Sequence, residues 1–322
     1  MRNIRYRNLS GFYRRQFGGR VHKIGLRGGF TCPNRDGAIS TDGCSFCNPE
    51  AALPRRTDAL SITDQLRRGA RRVRERFGAG MFVAYFQDYT ATWCDVGRLR
   101  KLCLEAIDFP DVVGLSLGTR PDCLPDDILA LLEELSERTF LEVELGVQTA
   151  SDATLAGLNR GHDSAATREA FASLGSHGIR CSAHVILGLP GERAAEMEAT
   201  AALLRECRSA GVKLHNLHVL RRTALEDLYR NGRFEPPTLE QYANMAVRFL
   251  ELTPPDAVVG RLVGDAPGRH LVAPQWPLHK QRAIRRIQLL LRQRDTWQGR
   301  KLGSPRSALD SPAVFARGPA SP

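Results

Sequence analysis

The chain has 322 residues, 42% of them hydrophobic, and carries 46 Lys or Arg against 35 Asp or Glu, a formal net charge of +11. That length allows one large core, or one barrel-sized domain with an appendage. The opening Met1-Arg2-Asn3-Ile4-Arg5-Tyr6 has no apolar run to serve as a signal peptide and no window approaches a transmembrane span, so we expect no membrane partner and a soluble, cytoplasmic protein.

The positive charge is concentrated. Met1 to Arg35 holds nine Lys or Arg and no acid, and Pro277 to Arg306 holds nine against the single Asp295. A third cluster, Arg67, Arg68, Arg71, Arg72, Arg74 and Arg76, falls on an expected helix. Charge distributed in this way suits a protein that meets a polyanion, and it equally suits a solvated surface.

Along the chain, residues 1–20 form a basic N-terminal segment, and Val21 to Leu26 reads as a strand. After it come Cys32, Cys44 and Cys47 on a stretch punctuated by Pro33, Gly37, Gly43 and Pro49, a composition that makes a loop. Three thiolates with one position open suit a soft metal centre: zinc with a bound water, or an iron–sulfur cluster with one free iron. Unrelated cysteines, or a disulfide pair with a spare thiol, are the alternative. The other five cysteines read as small buried hydrophobes; Cys123, on a strand-end loop, would alternatively act as a second thiol.

The rhythm that follows is regular: helix Ser61 to Phe77, strand Met81 to Phe86, helix Val96 to Ile107, strand Val112 to Leu117, helix Asp126 to Glu137, strand Leu141 to Val147, helix Ser164 to His177, strand Ile179 to Leu187, helix Ala194 to Ala210, strand Val212 to Leu220 and helix Leu239 to Leu252. Strands read as apolar on both faces and alternating with helices imply a parallel sheet covered by helices. Six β/α units fall short of a closed eight-stranded barrel, so the expected fold is α/β: a partial (β/α)6 barrel over residues 21–255 with its chemistry at the carboxyl ends of the strands. Residues 256–301 form a small C-terminal α/β extension, with one short strand at Val258 to Leu262 and a basic helix from Leu278 to Arg294; residues 302–322 read as a disordered tail. His215 and His218, three apart on one strand, are expected on opposite faces and therefore not as a joint metal site.

Informative residues stand at the strand ends: Phe86-Gln87-Asp88-Tyr89-Thr90, Gly118-Thr119-Arg120-Pro121-Asp122, Gly146-Val147-Gln148-Thr149 and Gly188-Leu189-Pro190-Gly191-Glu192. Three cysteines after the first strand, Phe46 just before the last of them, and Gly-Leu-Pro-Gly after the fifth strand resemble a radical S-adenosylmethionine (SAM) enzyme. Phe-Thr-Cys-Pro-Asn-Arg-Asp-Gly, Val-Glu-Leu-Gly-Val-Gln-Thr-Ala, Asn-Arg-Gly-His-Asp, Gly-Asp-Ala-Pro and Thr-Trp-Gln-Gly extend the resemblance to the YhcC-like branch. That branch is similar in turn to the catalytic subunit of Elongator, which modifies the wobble uridine of tRNA. The gap from Cys32 to Cys44 is wider than in most of the superfamily, a widening that this branch shares. His184 stands where the fifth-strand pattern has its first glycine, Phe86-Gln87-Asp88 replaces a Gly-Gly-Glu, and no acetyltransferase domain follows.

The resemblance implies that Cys32, Cys44 and Cys47 hold a [4Fe–4S] cluster whose fourth iron is chelated by SAM, and that reductive cleavage of SAM yields a 5′-deoxyadenosyl radical. It places Phe46 near adenine, Gln87 at the methionine amine, Glu144 and Gln148 at the ribose or carboxylate, with Glu144 ranked first, and Ile186, Gly188 and Gly191 where the backbone approaches adenine. Arg120 would pair with a carboxylate or phosphate, or buttress Asp122; His162 would move a proton near substrate, or cap the following helix. The electron donor implied is flavodoxin or ferredoxin. Three functions follow: modification of a tRNA base, radical chemistry on a small molecule or peptide, or a non-enzymatic zinc protein.

Overall fold

The structure, a computed structural model, describes residues 4–48 and 60–311. Seven strands, β1 (Val21–Leu26), β2 (Met81–Phe86), β3 (Val112–Thr119), β4 (Phe140–Gln148), β5 (Arg180–Leu187), β6 (Gly211–Asn216) and β8 (Val258–Arg261), lie side by side in that order, every pair parallel. Between β6 and β8 the chain makes β7 (Val219–Leu220), which pairs antiparallel with β9 (Leu271–Ala273) in a separate ribbon. The C-terminal strand expected as part of an extension is thus the seventh strand of the main sheet.

Helices cover the outer face: α2 (Ile62–Phe77), α3 (Val96–Ile107), α4 (Asp126–Arg138), α6 (Ser164–Ser176), α7 (Ala194–Glu206), α9 (Leu239–Glu251) and α10 (Lys280–Gln293); α1 (Leu9–Phe17) precedes the sheet, α5 (Asp152–Gly157) follows β4, and α8 (Ala224–Arg230) packs in a separate cluster with Ile186 and Val219. Their starts are set by side chains: Ser61, Asp95, Asp163 and Thr238 each accept an orphan N–H of the first turn, an interaction that contributes about 1 kcal/mol per helix. The strands send alternate residues to this layer, so Phe82, Ala84 and Phe86 of β2 and Leu141, Val143, Leu145 and Val147 of β4 are buried in one apolar core beneath the helices.

The inner face differs from the expectation of strands apolar on both sides. Lys23, Ser116, Glu142, Glu144, Ser182, His184 and Lys213 project into the barrel and pair with one another. Lys23 Nζ donates to Glu142 Oε2 at 2.9 Å and to Glu144 Oε1 at 2.5 Å. Glu144 Oε2 accepts from Lys213 Nζ and lies 2.8 Å from His184 Nε2. Arg180 Nε donates to Glu142 Oε1 at 3.1 Å. Buried charges persist when each has a partner, which is why an α/β strand here tolerates an acid at every second position.

The N-terminal segment also differs from a free basic arm. Phe12 and Tyr13 of α1 pack with Val83, Phe140 and Val258, and Arg180 lies over the Phe12 ring at 4.6 Å. Arg7, 2% exposed, donates to the carbonyls of Pro255, Ala308 and Ser311. Part of the positive charge counted in the sequence is therefore internal structure. The same contacts hold residues that were expected to be disordered: Leu309 is buried in a short 3₁₀ turn, Arg306–Leu309. The rest of the expected tail, residues 312–322, lies outside the described residues.

Candidate active site

The cysteine loop, residues 27–48 as described, has no regular structure of its own and is shaped by contacts from elsewhere. The carboxylate of Asp88, just past β2, accepts from the backbone N–H of Gly28 and Gly29 at 3.1 Å each and of Phe30 at 3.4 Å. Burial raises the Asp88 carboxyl against these donors. Asn159 Nδ2 donates to Gly43 O at 2.8 Å and Asn34 Nδ2 to Asn159 O at 2.5 Å. Ser45 N bonds Leu158 O, Leu225 N bonds Ser45 O, and Asn48 Nδ2 bonds Arg221 O.

Two donors reach the Cys44 sulfur. Arg160 Nη1 lies 3.2 Å and Asn34 Nδ2 3.4 Å from Cys44 Sγ. Arg160 Nη2 meanwhile donates to Gly146 O at 2.8 Å and to His162 Nε2 at 3.1 Å. Arg35 Nη2 donates to Cys47 O at 2.6 Å, and the Cys44–Cys47 turn closes by Cys47 N to Cys44 O at 2.9 Å. Burial pushes the Cys47 thiol up, and nearby Cys44 and Cys32 push it further, against Arg35.

Among the described residues, no three His, Cys, Asp or Glu side chains converge on one metal ion. Three soft thiols with N–H donors turned on one of them fit the cluster's donor set, because such hydrogen bonds to sulfur are what tunes it.

Cys47 also borders a cavity of about 380 Å³ at the mouth of the barrel. Phe46 of the cysteine loop and Gln87, Gln148 and Ile186 from the ends of β2, β4 and β5 line the same cavity. A register shift between Leu145 and Gln148 re-aims the end of β4, and Gln148 reaches the wall with a φ of 68°. Gly188 and Gly191 stand outside the lining. At Gly188 the φ is 85° and a Cβ would lie 2.2 Å from Pro237 Cγ, so glycine is required there by the chain's own packing.

Glu144 lies one layer below the cavity, both oxygens taken by the interior network. Burial opposes its ionisation, yet Lys213 and Lys23, with His184, hold it well below the usual carboxylate range. Of the two β4 residues expected to meet a ligand, Gln148 is the one on the wall. Arg120 pairs in bidentate fashion with Asp122, at 2.9 and 2.7 Å, as the buttress alternative anticipates. His162 does not cap α6; Asp163 does. Burial and Arg160 push the His162 imidazole down to about 4. Cys123 is buried, 2% exposed, and its thiol is pushed up to about 12 by burial and by Asp122.

The sequence reading missed one wall. β6 ends at Asn216, so the alternation that would separate His215 from His218 no longer applies beyond it, and both line the cavity with His184. His184 and His215 stack with ring centroids 5.0 Å apart. Burial lowers all three imidazoles, His184 against its bond to Glu144, His215 well below the usual value and His218 to about 4. The signal available in the sequence was His184 itself, standing where a glycine was expected.

Comparison with known proteins agrees with this architecture. The chain is 39% identical over 299 residues to YtqA of Bacillus subtilis, covering 92% of each, and 37% identical over 292 residues to YhcC of Escherichia coli K12, covering 90% of this chain and 93% of that one. Elongator complex protein 3 of Schizosaccharomyces pombe is 29% identical over 175 residues, which is 51% of this chain and 31% of that one. The archaeal Methanocaldococcus infernus Elp3 shares the fold with a TM-score of 0.61 at 16% identity, over 86% of this chain and 64% of that chain. The Radical_SAM C-terminal domain matches residues 209–293, and the radical SAM superfamily matches residues 32–204, from the first cysteine of the loop through the fifth strand and the helix after it. A match over more than half the chain, beginning at Cys32, makes this protein a member of the radical SAM superfamily.

Proposed function

We propose that the protein is a radical SAM enzyme that modifies a tRNA base, with Cys32, Cys44 and Cys47 holding a [4Fe–4S] cluster and SAM occupying the mouth cavity. One observation carries the reading: the adjacent Phe46 and Cys47 of the cysteine loop border one cavity with Gln87, Gln148 and Ile186, which are distant from them in sequence. When bound, the cluster and SAM supply reductive cleavage of the sulfonium, by one electron from a flavodoxin or ferredoxin, and a 5′-deoxyadenosyl radical that takes a hydrogen atom from substrate. The chain's own residues do the rest. Phe46 and Ile186 offer apolar contact to adenine, Gln87 and Gln148 offer amides to the polar groups of the ligand, and Arg160 and Asn34 set the field at Cys44.

The tRNA substrate is supported by the resemblance to the Elongator catalytic subunit and by exposed arginines. Arg68, Arg71 and Arg72 of α2, and Arg282, Arg285 and Arg292 of α10, stand in solvent where phosphates could meet them.

The test uses anaerobically reconstituted protein. We expect about four irons per chain, 5′-deoxyadenosine from SAM and dithionite, and loss of both in Cys47→Ala. Binding of bulk tRNA should weaken steeply with salt, log K falling by about 0.7–0.9 for each phosphate neutralised per decade of salt. Deoxyadenosine without salt-dependent tRNA binding would move the substrate to a small molecule or peptide. One zinc and no deoxyadenosine would end the enzymatic reading.

A further inference from the structure

The chain has only five lysines, Lys23, Lys101, Lys213, Lys280 and Lys301, among 46 Lys and Arg residues. Three of the five, Lys23, Lys213 and Lys280, line one groove of about 740 Å³. The groove lies where the curled sheet fails to close: Val21 and Lys23 of β1 form one bank, Val259 and Arg261 of β8 the other. Glycines keep both banks open. A Cβ at Gly25 would lie 2.5 Å from Gln87 Nε2, and one at Gly260 would lie 2.9 Å from Lys213 Cγ.

At the inner end, Lys23 and Lys213 flank Tyr85, their Nζ atoms 5.0 and 4.5 Å from its ring centroid. At the rim, Asp265 is shared between Lys280, at 2.6 Å, and Arg261, at 3.1 Å. Glu142 and Glu144 sit behind the inner lysines, with Arg180 on Glu142. The cations therefore outnumber the carboxylates they pair with. An ammonium is a compact, mobile point charge that can turn from an internal partner to a ligand, which the planar guanidinium does less readily. Gln87 borders this groove and also the mouth cavity.

We propose that the groove is a second ligand site, taking a small molecule that bears a carboxylate or a phosphate and bringing it to Gln87 from the side of the barrel. Its role as a co-substrate rests on the radical SAM reading above; the site itself does not. Lys213 answers the ligand's negative charge from within, Arg261 and Lys280 from the rim, and Tyr85 supplies a flat apolar floor. Burial brings the Lys213 ammonium down to about 8 despite Glu144, so it carries its charge near neutral pH and yields the free amine in mildly alkaline buffer, sooner than an exposed lysine does.

That property gives a direct test on the reconstituted, cluster-loaded enzyme. Pyridoxal 5′-phosphate joins an aldehyde to an anion; it condenses with a neutral ε-amine with loss of water, and borohydride fixes the imine as a secondary amine. Peptide mapping then reads five lysines, with the exposed Lys101 and Lys301 as internal controls. We expect Lys213 to label first, and an excess of inorganic phosphate or of succinate to suppress that label at least fivefold without affecting Lys101. Phosphate protection alone assigns a phosphate-bearing ligand, succinate protection alone a carboxylate-bearing one. Arg261→Glu should cut Lys213 labelling several-fold with its melting temperature and iron content kept. Labelling that follows exposure, Lys101 and Lys301 first, or a Lys213 label that neither anion suppresses, overturns the proposal. Deoxyadenosine formation measured on the same preparation separates this outcome from failure of the radical SAM reading.

Discussion

Replacing Glu144 by Gln tests whether this carboxylate serves the fold or a ligand. Its side chain is fully buried and accepts from Lys23 at 2.5 Å, from Lys213, and from Ser116 at 3.2 Å, with His184 at 2.8 Å. Glutamine keeps the shape and one acceptor oxygen but removes the charge. Lys213 then has no carboxylate, while Lys23 keeps Glu142. Breaking one side of a buried ion pair costs about 3–5 kcal/mol, since the partner's charge stays buried without compensation. At roughly 2 °C per kcal/mol, the low end appropriate to a chain of this length, the melting midpoint should fall by about 6–10 °C. Differential scanning calorimetry of wild type, Glu144→Gln, Lys213→Met and the Glu144→Leu/Lys213→Met double variant forms the assay. The double variant should recover part of the loss, because removing both partners leaves no orphan charge. An unchanged midpoint in Glu144→Gln together with weakened SAM binding would refute the structural role and restore Glu144 to the ligand.

Three other outcomes follow from the same contacts. Lys23 and Arg180 outweigh burial and bring the Glu142 carboxyl down from 4.5 to about 2; its stabilising contribution is therefore present above about pH 4.5 and lost as pH falls toward 2, so urea midpoints should drop between pH 5 and pH 3 and drop less in Glu142→Gln. Gly188→Ala places a Cβ 2.2 Å from Pro237 Cγ at a φ of 85°, whereas Gly191→Ala at 78° meets open space. The first should cost more than the 1–3 kcal/mol of a strained backbone and the second no more than that, read from chemical denaturation. Arg160→Leu removes the guanidinium from Cys44 Sγ and from Gly146 O; in reconstituted protein the cluster's midpoint potential should become more negative, and a potential equal to wild type would show that the bond to sulfur tunes nothing.

How much of this was legible in the sequence depends on how local the cause was. β1 and β2 begin and end where expected, over Val21 to Leu26 and the apolar run Met81 to Phe86, since Gly19, Gly28 and Gly80 punctuate the chain around them and the polar Gln87-Asp88 follows β2. Leu141-Glu142-Val143-Glu144-Leu145 shows a period of two, yet which face becomes a charged interior is decided only when β1 and β6 bring Lys23 and Lys213 to the same acid. α1 went unread because Leu9 to Phe17 mixes aromatics with arginines, and the arginine count drew attention to surface rather than to Phe12 and Tyr13. The cavity wall at His215 and His218 was hidden for a similar reason: a strand's length, set by pairing with β5 and β8, fixes where alternation stops.

The cysteine loop illustrates the dependence in its strongest form. Cys44 is flanked by donors from Asn34 and Arg160, its turn is hung from Leu158 and Leu225, and the loop's opening is held by Asp88. Apart from Asn34, which is in the loop itself, those residues come from the end of β2, from the turn after α5 and from α8, and the fold brings them to one rim. Without the curled sheet the loop is a Gly- and Pro-rich segment with only a few turns closed by its own hydrogen bonds, and three cysteines in such a segment have no reason to face the same point. The twist of parallel strands curls the sheet, and on its inner face a network of paired charges ties β1, β4, β5 and β6 together. The ion network beneath the mouth and the thiols above it are therefore one construction: the first fixes the rim, and the rim shapes the loop that carries the chemistry.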